Sequence, residues 1–506
     1  MKGFSNVKEY YTSMYKHINL QRLLFTKNKL KECEKDSKKI FSFANHLMGN
    51  KNKFIYPSSY TDGELAEKFV EFFANKVKKI QNELHSNLTI PNRLEVNHYA
   101  INPDIRLDSF DLVTDNETSK TIMSLPNKQC KLDPMPTWFL KNNHLTFSPI
   151  IPKIINTSLL TGIMPASLKT ALVRPGLKNP SLDTEQWKSF RPISNLPILG
   201  KIIEKVVYKR LDQHISKHNL LDPNQSAYRK NHSAETTLLK LQNDVLCHLD
   251  EGHSVALVFI DISAAFDTAN HEQLLKCFNQ FFGIRGKALE WLKSYLTDRK
   301  QMVAINQAIS SPRTVECGFP QGATLAGLMY NMSTAPFAKV VEKHPVDHKG
   351  FADDNGFYIA FVRKTEHEAL TSLNSCLNDT KEWFACNNFK VNDDKTQLMF
   401  FSPRKDLNPD FCFTLGSEII EPSIAVENLG VILDSQMTME NRINTVTQSV
   451  YYHIRNISKI RHYLTLDSAR TIVQALVISR LDYCNSLFGN LPLWLTNKLK
   501  RAYAAA

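Results

Sequence analysis

The chain has 506 residues, enough for two or three domains with separate cores, because a single hydrophobic core rarely grows beyond ~250 to 300 residues. With 42% hydrophobic and 22% charged residues it reads as an ordinary globular protein, and the lack of a run of ~18 apolar residues or of an apolar core behind Met1 excludes a membrane-spanning or secreted reading. The formal net charge of +12 points to a polyanionic partner, since lysines and arginines that neutralise phosphates gain affinity by releasing condensed counterions; an anionic membrane surface is the competing explanation.

Residues 1 to about 90 read as lysine-rich helices, clearest from Gly63 to Phe73, where apolar residues recur at helical spacing. Their charged faces are either solvated or nucleic-acid-binding. Asn87 to Asp108, with Pro91 and Pro103, reads as a linker, and helices resume from Ser109 to Leu168 with a break at Asp133-Pro134-Met135-Pro136. From Ala171 a short apolar strand runs into Lys178, and Arg191 follows within Phe190-Arg191-Pro192-Ile193-Ser194. On neighbouring strands or loops these cations can hold a triphosphate, the arginine bidentately and the lysine as a point charge; alone, each reads as a surface ion-pair residue. Ile198 to Leu211 is expected as a helix with Ile202, Ile203, Val206, Val207 and Leu211 on its core face.

Val255 to Ile260 is the clearest buried strand, and it ends abruptly in Asp261, a charge that must be paired or hold a metal. Asp267 reads as a helix cap or ion-pair partner, and His271, at the head of a helical stretch to Phe282, as a structural hydrogen-bonder. Glu316-Cys317-Gly318-Phe319-Pro320-Gln321-Gly322 joins a strand to a helix starting near Thr324; its glycines permit close backbone approach and Gln321 offers an amide edge. Phe351-Ala352-Asp353-Asp354-Asn355-Gly356 places two adjacent carboxylates at a hairpin tip, with Asn355-Gly356 expected as a type I′ turn before the strand Phe357 to Val362. Taken alone, those carboxylates read as a solvated loop.

Phe389 to Thr396 is expected as a loop entering a strand from Gln397 to Phe401, and Leu429 to Asp434 as a strand with a glycine bend. Beyond Met439 the chain is helical and basic, with Arg442, Arg455, Lys459, Arg461 and His462 among Tyr451, Tyr452 and Tyr463; the mixture suits phosphates and stacked bases, or the polar face of a bundle. Nine cysteines are scattered without a Cys-x-x-Cys pair or a histidine at zinc-finger spacing, so they read as reduced thiols and the chain as intracellular, with nucleus and cytoplasm not distinguished.

A buried strand ending in Asp261, a Gly-Phe-Pro-Gln-Gly turn and an Ala-Asp-Asp hairpin follow in an order that resembles the palm of a reverse transcriptase. The chain in particular resembles the polymerase of a non-LTR (LINE-like) retrotransposon of the jockey and chicken-repeat kind. The resemblance runs from about Asp108 to Lys500 and includes Arg191-Pro192-Ile193-Ser194-Asn195-Leu196, Gln225-Ser226-Ala227-Tyr228-Arg229, the stretch from Phe259 to Asp267, and Ser479-Arg480-Leu481-Asp482-Tyr483-Cys484-Asn485. It implies an α+β right-hand polymerase fold. Fingers and an antiparallel-sheet palm would occupy 171–435, a helical segment leading into the fingers 109–170, a helical thumb-like segment 436–506, and a helical N-terminal extension and linker 1–108.

The implied activity is RNA-directed DNA polymerisation, with an RNA template, a DNA primer, deoxynucleoside triphosphates and no membrane. Asp261 and Asp353, with Asp354 and the Ile262 carbonyl, would hold two Mg²⁺ ions, Mn²⁺ being a possible substitute. Lys178 and Arg191 resemble the residues that grip the incoming triphosphate, and Phe266 the gate that rejects a ribose 2′-hydroxyl. Gln321 and Gly322 resemble the turn against nucleotide and template, and Lys395 a proton donor to pyrophosphate. The family usually has Tyr where Phe351 stands, Val where Phe319 stands, and Ser-Val-Leu-Gly-Pro where Ala323-Thr324-Leu325-Ala326-Gly327 stands. Family reading frames also carry an endonuclease ahead of this region, for which Met1 to Asp108 is too short, so the chain reads as a fragment of an element with that domain absent from it. A catalytically inactive nucleic-acid-binding remnant and a metal-dependent phosphohydrolase are the competing readings; Lys178, Arg191 and Phe266 argue against the second.

Overall fold

The apolar stretch ahead of Lys178 and the one around Arg191 pair with each other. In the computed structural model, which describes residues 2–33, 36–49, 56–87, 104–403, 413–415 and 418–506, β1 (Thr170–Leu177) and β2 (Phe190–Asn195) run antiparallel, Gly176 opposite Arg191 and Leu177 opposite Phe190. The next strand, β3 (Ser254–Ser263), starts a second sheet, while β4 (Arg299–Ile305) returns to the first, parallel to β1. Short antiparallel strands β5 (Ala308–Ile309) and β6 (Arg313–Val315) pair with β4. Most of the expected linker, and Cys412, lie outside the described residues.

The helix Asp62–Asn87 covers this first sheet. Leu65, Ala66, Phe69, Val70 and Phe73 share one face of a 3.6-residue repeat and are buried in one core with Val173, Phe190, Val303 and Ile305. Phe69 meets Trp187 and Phe190 edge-on at 4.7 and 5.0 Å, and burying a side chain of that size stabilises by about 1.5–3 kcal/mol. The helix starts with a reciprocal cap: the Thr61 N–H donates to the Glu64 carboxylate (2.9 Å) and the Glu64 N–H to the Thr61 hydroxyl (3.4 Å).

The second sheet is wholly antiparallel, in the order β7-β8-β3-β9, with β7 (Asp347–Phe351), β8 (Asp354–Phe361) and β9 (Lys390–Phe401). β3 is buried from Ser254 through Ile260, which is why it reads as a continuous apolar run and not as an alternation. Ala256, Val258 and Ile260, two apart and so on one face, share a core with Leu328, Leu373, Leu377 and Phe384 from the helices Ala326–Thr334 and Glu366–Cys386. The long helix Ile198–His218 buries the face expected of it.

Two local expectations are corrected here. The β7–β8 hairpin turns at Ala352-Asp353, not at Asn355-Gly356, because Phe351 pairs with Asp354. Asn355 and Gly356 instead belong to β8, where they pair with Ile260 and Phe259 of β3. A Cβ on Gly356 would lie 3.1 Å from the Phe259 ring, so this glycine serves a close strand contact, while Ala352 takes the left-handed backbone (φ 58°) of the turn. Likewise Phe389 to Thr396 is not a loop leading into a strand: β9 already starts at Lys390. Its pairing with β3 slips between Phe259 and Asp261, so that Asp393, Asp394, Lys395 and Thr396 bulge out against the single residue Ile260.

The chain divides into two compact units. The larger, Ile55–Thr237 with Asn243–Ser423, contains both sheets; the smaller is Met1–Phe54, Leu238–Gln242 and Ile424–Ala506. The helices Lys2–Glu32 and Ser37–Leu47 belong to the smaller unit and Asp62–Asn87 to the larger, so the N-terminal 108 residues are shared between them. Within the smaller unit Val446, Val450, Ile457 and Ile460 of the helix Glu440–Ile460 join Leu30, Ile40, Ala44 and Ile472 in one core. Leu429-Gly430 is the turn of a hairpin between Ala425–Asn428 and Val431–Asp434.

Arg442, grouped above with the phosphate-facing cations, is 9% exposed and holds that hairpin. Its guanidinium donates to the Gly430 carbonyl (2.8 Å) and lies over the Tyr483 ring (5.7 Å), whose hydroxyl donates to the Leu429 carbonyl (2.7 Å). Arg455, Lys459 and Arg461 are exposed. Among the described residues no helix is long and apolar enough to cross a membrane, and no disulfide joins the cysteines.

Candidate active site

β3 carries Asp261 to the edge of the buried core, opposite Asp354 of β8 and Asn392 of β9. The Asp261 carboxylate accepts from Lys395 Nζ at 3.0 Å and from Asn392 Nδ2 at 3.4 Å, both on the same oxygen, Oδ2. Asp353 sits in the β7–β8 turn, whose backbone is held from several sides. The Gln225 amide accepts from the Ala352 N–H (2.8 Å) and donates to the Ala352 carbonyl (3.3 Å); the Tyr330 hydroxyl donates to that carbonyl (3.0 Å), and the Asn355 side chain to the Asp353 carbonyl (3.2 Å). Gln225 is buried, so removing it leaves the Ala352 N–H short of a partner at a cost of about 1–3 kcal/mol, whereas the Ala352 carbonyl keeps one donor if either Gln225 or Tyr330 is lost.

Crowding shows in the acidities. Burial raises the Asp353 carboxyl above its ordinary range, and the Asp261 charge adds to the rise. Asp354 is pushed up to about 6, first by burial and then by the charges of Asp353 and Asp261. Asp261 and Asp353, which face the same cleft, offer the hard oxygen donors that a divalent ion such as Mg²⁺ accepts while keeping phosphate oxygens and water as further ligands. The donor chemistry therefore fits a divalent ion of this kind.

The first sheet adds a basic side. Lys178 follows β1 and its N–H donates to the Ser189 carbonyl (2.9 Å), which fixes it beside Arg191 of β2. Burial lowers the pKa of the Lys178 ammonium, and the cations Lys76 and Lys395 lower it further, against Asp267 and Asp261. Cations and carboxylates thus share one field, an arrangement complementary to a metal-complexed polyphosphate.

Between them lies an aromatic and amide-lined floor. Phe266 stacks on Tyr330 (centroids 5.2 Å, planes 19° apart) and meets Tyr228 and Phe319 edge-on at 5.9 and 6.4 Å. The turn Gly318 to Gly322 is bound to the segment after β3 through backbone: Gly318 N–H donates to the Ala269 carbonyl and Phe319 N–H to the Phe266 carbonyl, both at 2.7 Å. At Gly318 (φ 77°) a Cβ would meet the Phe266 and Asp267 carbonyl oxygens at 2.6 Å, so only glycine fits. Gln321 donates its amide to Asp267 Oδ1 (2.6 Å), Asp267 lies 3.9 Å from Lys76 Nζ, and the Gln321 carbonyl accepts from the Ser194 N–H of β2 (2.9 Å). His271 contacts the Gly318 carbonyl at 2.9 Å and is the structural hydrogen-bonder its position suggested. Thr324 and Gly327, two of the departures from the family pattern, are accommodated. The Thr324 N–H donates to the buried Glu204 (2.7 Å), and Gly327 leaves the space that the Tyr228 ring fills.

Asp261, Ile262, Asp353, Lys178, Arg191, Phe266, Gln321, Gly322 and Lys395 line one cleft of about 750 Å³. Asp354 does not line it and stands opposite Asp261 in the β3–β8 ladder. Sequence reasoning missed Lys76, Tyr228, Lys390 and Asn392 among the lining residues and the supporting amide of Gln225. Lys76 carried a readable signal: it falls three residues after Phe73, a cation at the margin of an otherwise apolar face.

Residues 177–433 match the family model for reverse transcriptase (RNA-dependent DNA polymerase), half of the chain. The chain is 26% identical over 422 residues to the probable RNA-directed DNA polymerase from transposon BS of Drosophila melanogaster, which covers 75% of the chain and 44% of that relative. It is 27% identical over 361 residues to the RNA-directed DNA polymerase from mobile element jockey of Drosophila funebris, covering 69% and 38%. To the probable RNA-directed DNA polymerase from transposon X-element of Drosophila melanogaster it is 24% identical over 325 residues, covering 62% and 34%. The chain spans less than half the length of each of these curated relatives.

Proposed function

The chain belongs to the reverse transcriptase family, and from that premise we propose that its cleft extends the 3′-hydroxyl of a DNA primer with deoxynucleoside triphosphates on an RNA template. The observation that carries the reading is the meeting of Asp261 and Asp353 with Lys178, Arg191, Phe266, Gln321 and Lys395 around a single cleft. In right-hand terms the sheet β7-β8-β3-β9 is the palm and the sheet of β1, β2 and β4 belongs to the fingers, both within 171–435. Residues 109–170 lead into the fingers, 436–506 form a thumb-like segment, and 1–108 are an extension.

Asp261 and Asp353, assisted by Asp354 and the Ile262 carbonyl, would hold two Mg²⁺ ions, or Mn²⁺ in their place. Such a pair supplies positive charge to the attacking hydroxyl and to the departing pyrophosphate. Lys178 and Arg191 bind the triphosphate and orient its α-phosphorus toward the primer end. Gln321 and Gly322, braced by Asp267 and Ser194, pack against the paired nucleotide and template. Phe266, its ring backed by Tyr330, closes the space a ribose 2′-hydroxyl needs. Lys395 keeps a proton for the pyrophosphate oxygen as the bond to phosphorus breaks.

Primer extension on an RNA template with the four deoxynucleotides and Mg²⁺ tests the reading. Products lengthened in register with the template support it. Folded protein that binds RNA in a salt-dependent way and yields no extended product contradicts it and leaves a nucleic-acid-binding protein in its place.

A further inference from the structure

Away from the cleft, in the larger unit, the turn that joins the helix Ala234–Asp250 to β3 brings together His248, Glu251 and His253. The backbone accounts for their meeting. Gly252 takes a left-handed conformation (φ 82°), the His253 N–H donates to the His248 carbonyl (2.9 Å), and the Gly252 N–H donates to the Leu249 carbonyl (3.0 Å). These are the six-to-one and five-to-two bonds of a Schellman ending, which folds the chain back so that residues five apart become neighbours. Both imidazoles then direct Nδ1 at one oxygen, Glu251 Oε2, at 3.6 Å from His248 and 3.3 Å from His253.

Neither Nδ1 atom has a hydrogen-bond partner, and both are shielded from solvent. Two shielded imidazole nitrogens that face one carboxylate without a well-formed hydrogen bond to it are poorly served by the protein alone. The geometry points to a binding site here for a borderline divalent transition ion of the Zn²⁺ type, with His248 Nδ1, His253 Nδ1 and Glu251 Oε2 as ligands. With bonds of ~2.0–2.2 Å, the ligand atoms of a tetrahedral zinc site lie roughly 3.3–3.6 Å apart. The two nitrogen-to-oxygen separations are already of that size, and all three atoms lie within 4.8 Å of one another.

Two imidazoles favour such an ion over Mg²⁺, which separates this site from the oxygen-only corner at Asp261 and Asp353. All three side chains are at least 31% exposed, so an ion from solution can reach them. The ion ties the end of the helix to the first residues of the strand that carries Asp261, and so stabilises the larger unit at its central strand.

Equilibrium dialysis of the full chain against Zn²⁺, with Mg²⁺ in millimolar excess, tests this. The expected result is one Zn²⁺ equivalent held by the wild type and lost in His248→Ala/His253→Ala, with an unfolding midpoint that Zn²⁺ raises by a few degrees in the wild type alone. Glu251→Gln, which leaves the backbone turn intact, guards against misfolding of the double variant and should weaken Zn²⁺ at least tenfold. X-ray absorption at the zinc edge should show a nitrogen and oxygen shell at ~2.0–2.1 Å without sulfur. Equal Zn²⁺ retention by the wild type and a folded variant, or no retention by the wild type, overturns the site.

Discussion

Lys395 Nζ lies 3.0 Å from Asp261 Oδ2, and it reaches that oxygen from the β9 bulge instead of from a regular ladder position. The lysine is 64% exposed, and an ion pair so open to water is worth about 0–1 kcal/mol. On the proposed reading the lysine would yield the carboxylate to a metal ion at little cost and stay close enough to serve as the proton donor.

Replacing Lys395 by alanine separates these two functions. Mg²⁺ affinity should stay near the wild-type value, while kcat falls about a hundredfold with little change in the nucleotide KM, the range expected for loss of a general acid. Steady-state kinetics with an isothermal Mg²⁺ titration reads both; an unchanged kcat removes the proton-donor role.

Phe266 is fixed by its stack on Tyr330 and its edge contacts with Tyr228 and Phe319, so its ring offers a rigid wall. Phe266→Ala should cut the preference for deoxy- over ribonucleotides by roughly tenfold to a hundredfold, as expected when a steric exclusion is removed and no buried polar group is involved. Competitive single-nucleotide incorporation measures the ratio. A ratio equal to wild type returns Phe266 to a purely structural role.

Glu117 and Arg210 give a test of the scaffold. The Arg210 guanidinium donates to both Glu117 oxygens, at 2.7 and 2.8 Å, and this contact above all holds the Glu117 carboxyl at about 2 against burial, with Lys209 assisting. A carboxyl depressed on folding stabilises the protein above its unfolded value, near 4.5, and that stability disappears as pH falls from there toward 2. Glu117→Gln should cost roughly 2–4 kcal/mol at pH 7, and the gap to wild type should narrow as pH falls below 4.5. Urea unfolding at both ends of that window checks it; a gap that stays constant into acid contradicts the ion-pair origin.

Charge on the C-terminal helices makes a separable claim about nucleic acid. If Arg455, Lys459 and Arg461 neutralise phosphates, changing them to alanine should flatten the log-log dependence of binding on salt by roughly 0.7–0.9 for each phosphate left without its cation. Arg442→Ala should leave that slope alone and lower the unfolding midpoint, since Arg442 is occupied with Gly430 and Tyr483. Identical slopes for all variants return these helices to a solvated face.

The site was legible where a residue's chemistry is at odds with its surroundings. Asp261 at the end of a continuous apolar run and Gly318 in a strand-to-helix turn announced themselves because a buried charge needs a partner and a close backbone approach needs glycine. Asn355-Gly356 misled because its turn preference is a local property, and the pairing of β8 with β3 overrode it. Arg442 misled in a similar way: its charge is evident in the sequence, whereas the carbonyl and ring that bury it come from segments distant along the chain. Gln225 stood out for its pattern without a role, since the two backbone groups it satisfies are set by a tertiary interaction with the Ala352 turn.

Asp353 is the residue on which the functional reading depends most directly. Primer extension on RNA by the wild type and by Asp353→Asn, both shown folded and at matched concentration, should give templated DNA with the first and about a hundredfold to a thousandfold less with the second, the scale on which removing one electrostatic stabiliser of the transition state acts. Equal incorporation by the two proteins would contradict the assignment of this cleft as the polymerase site.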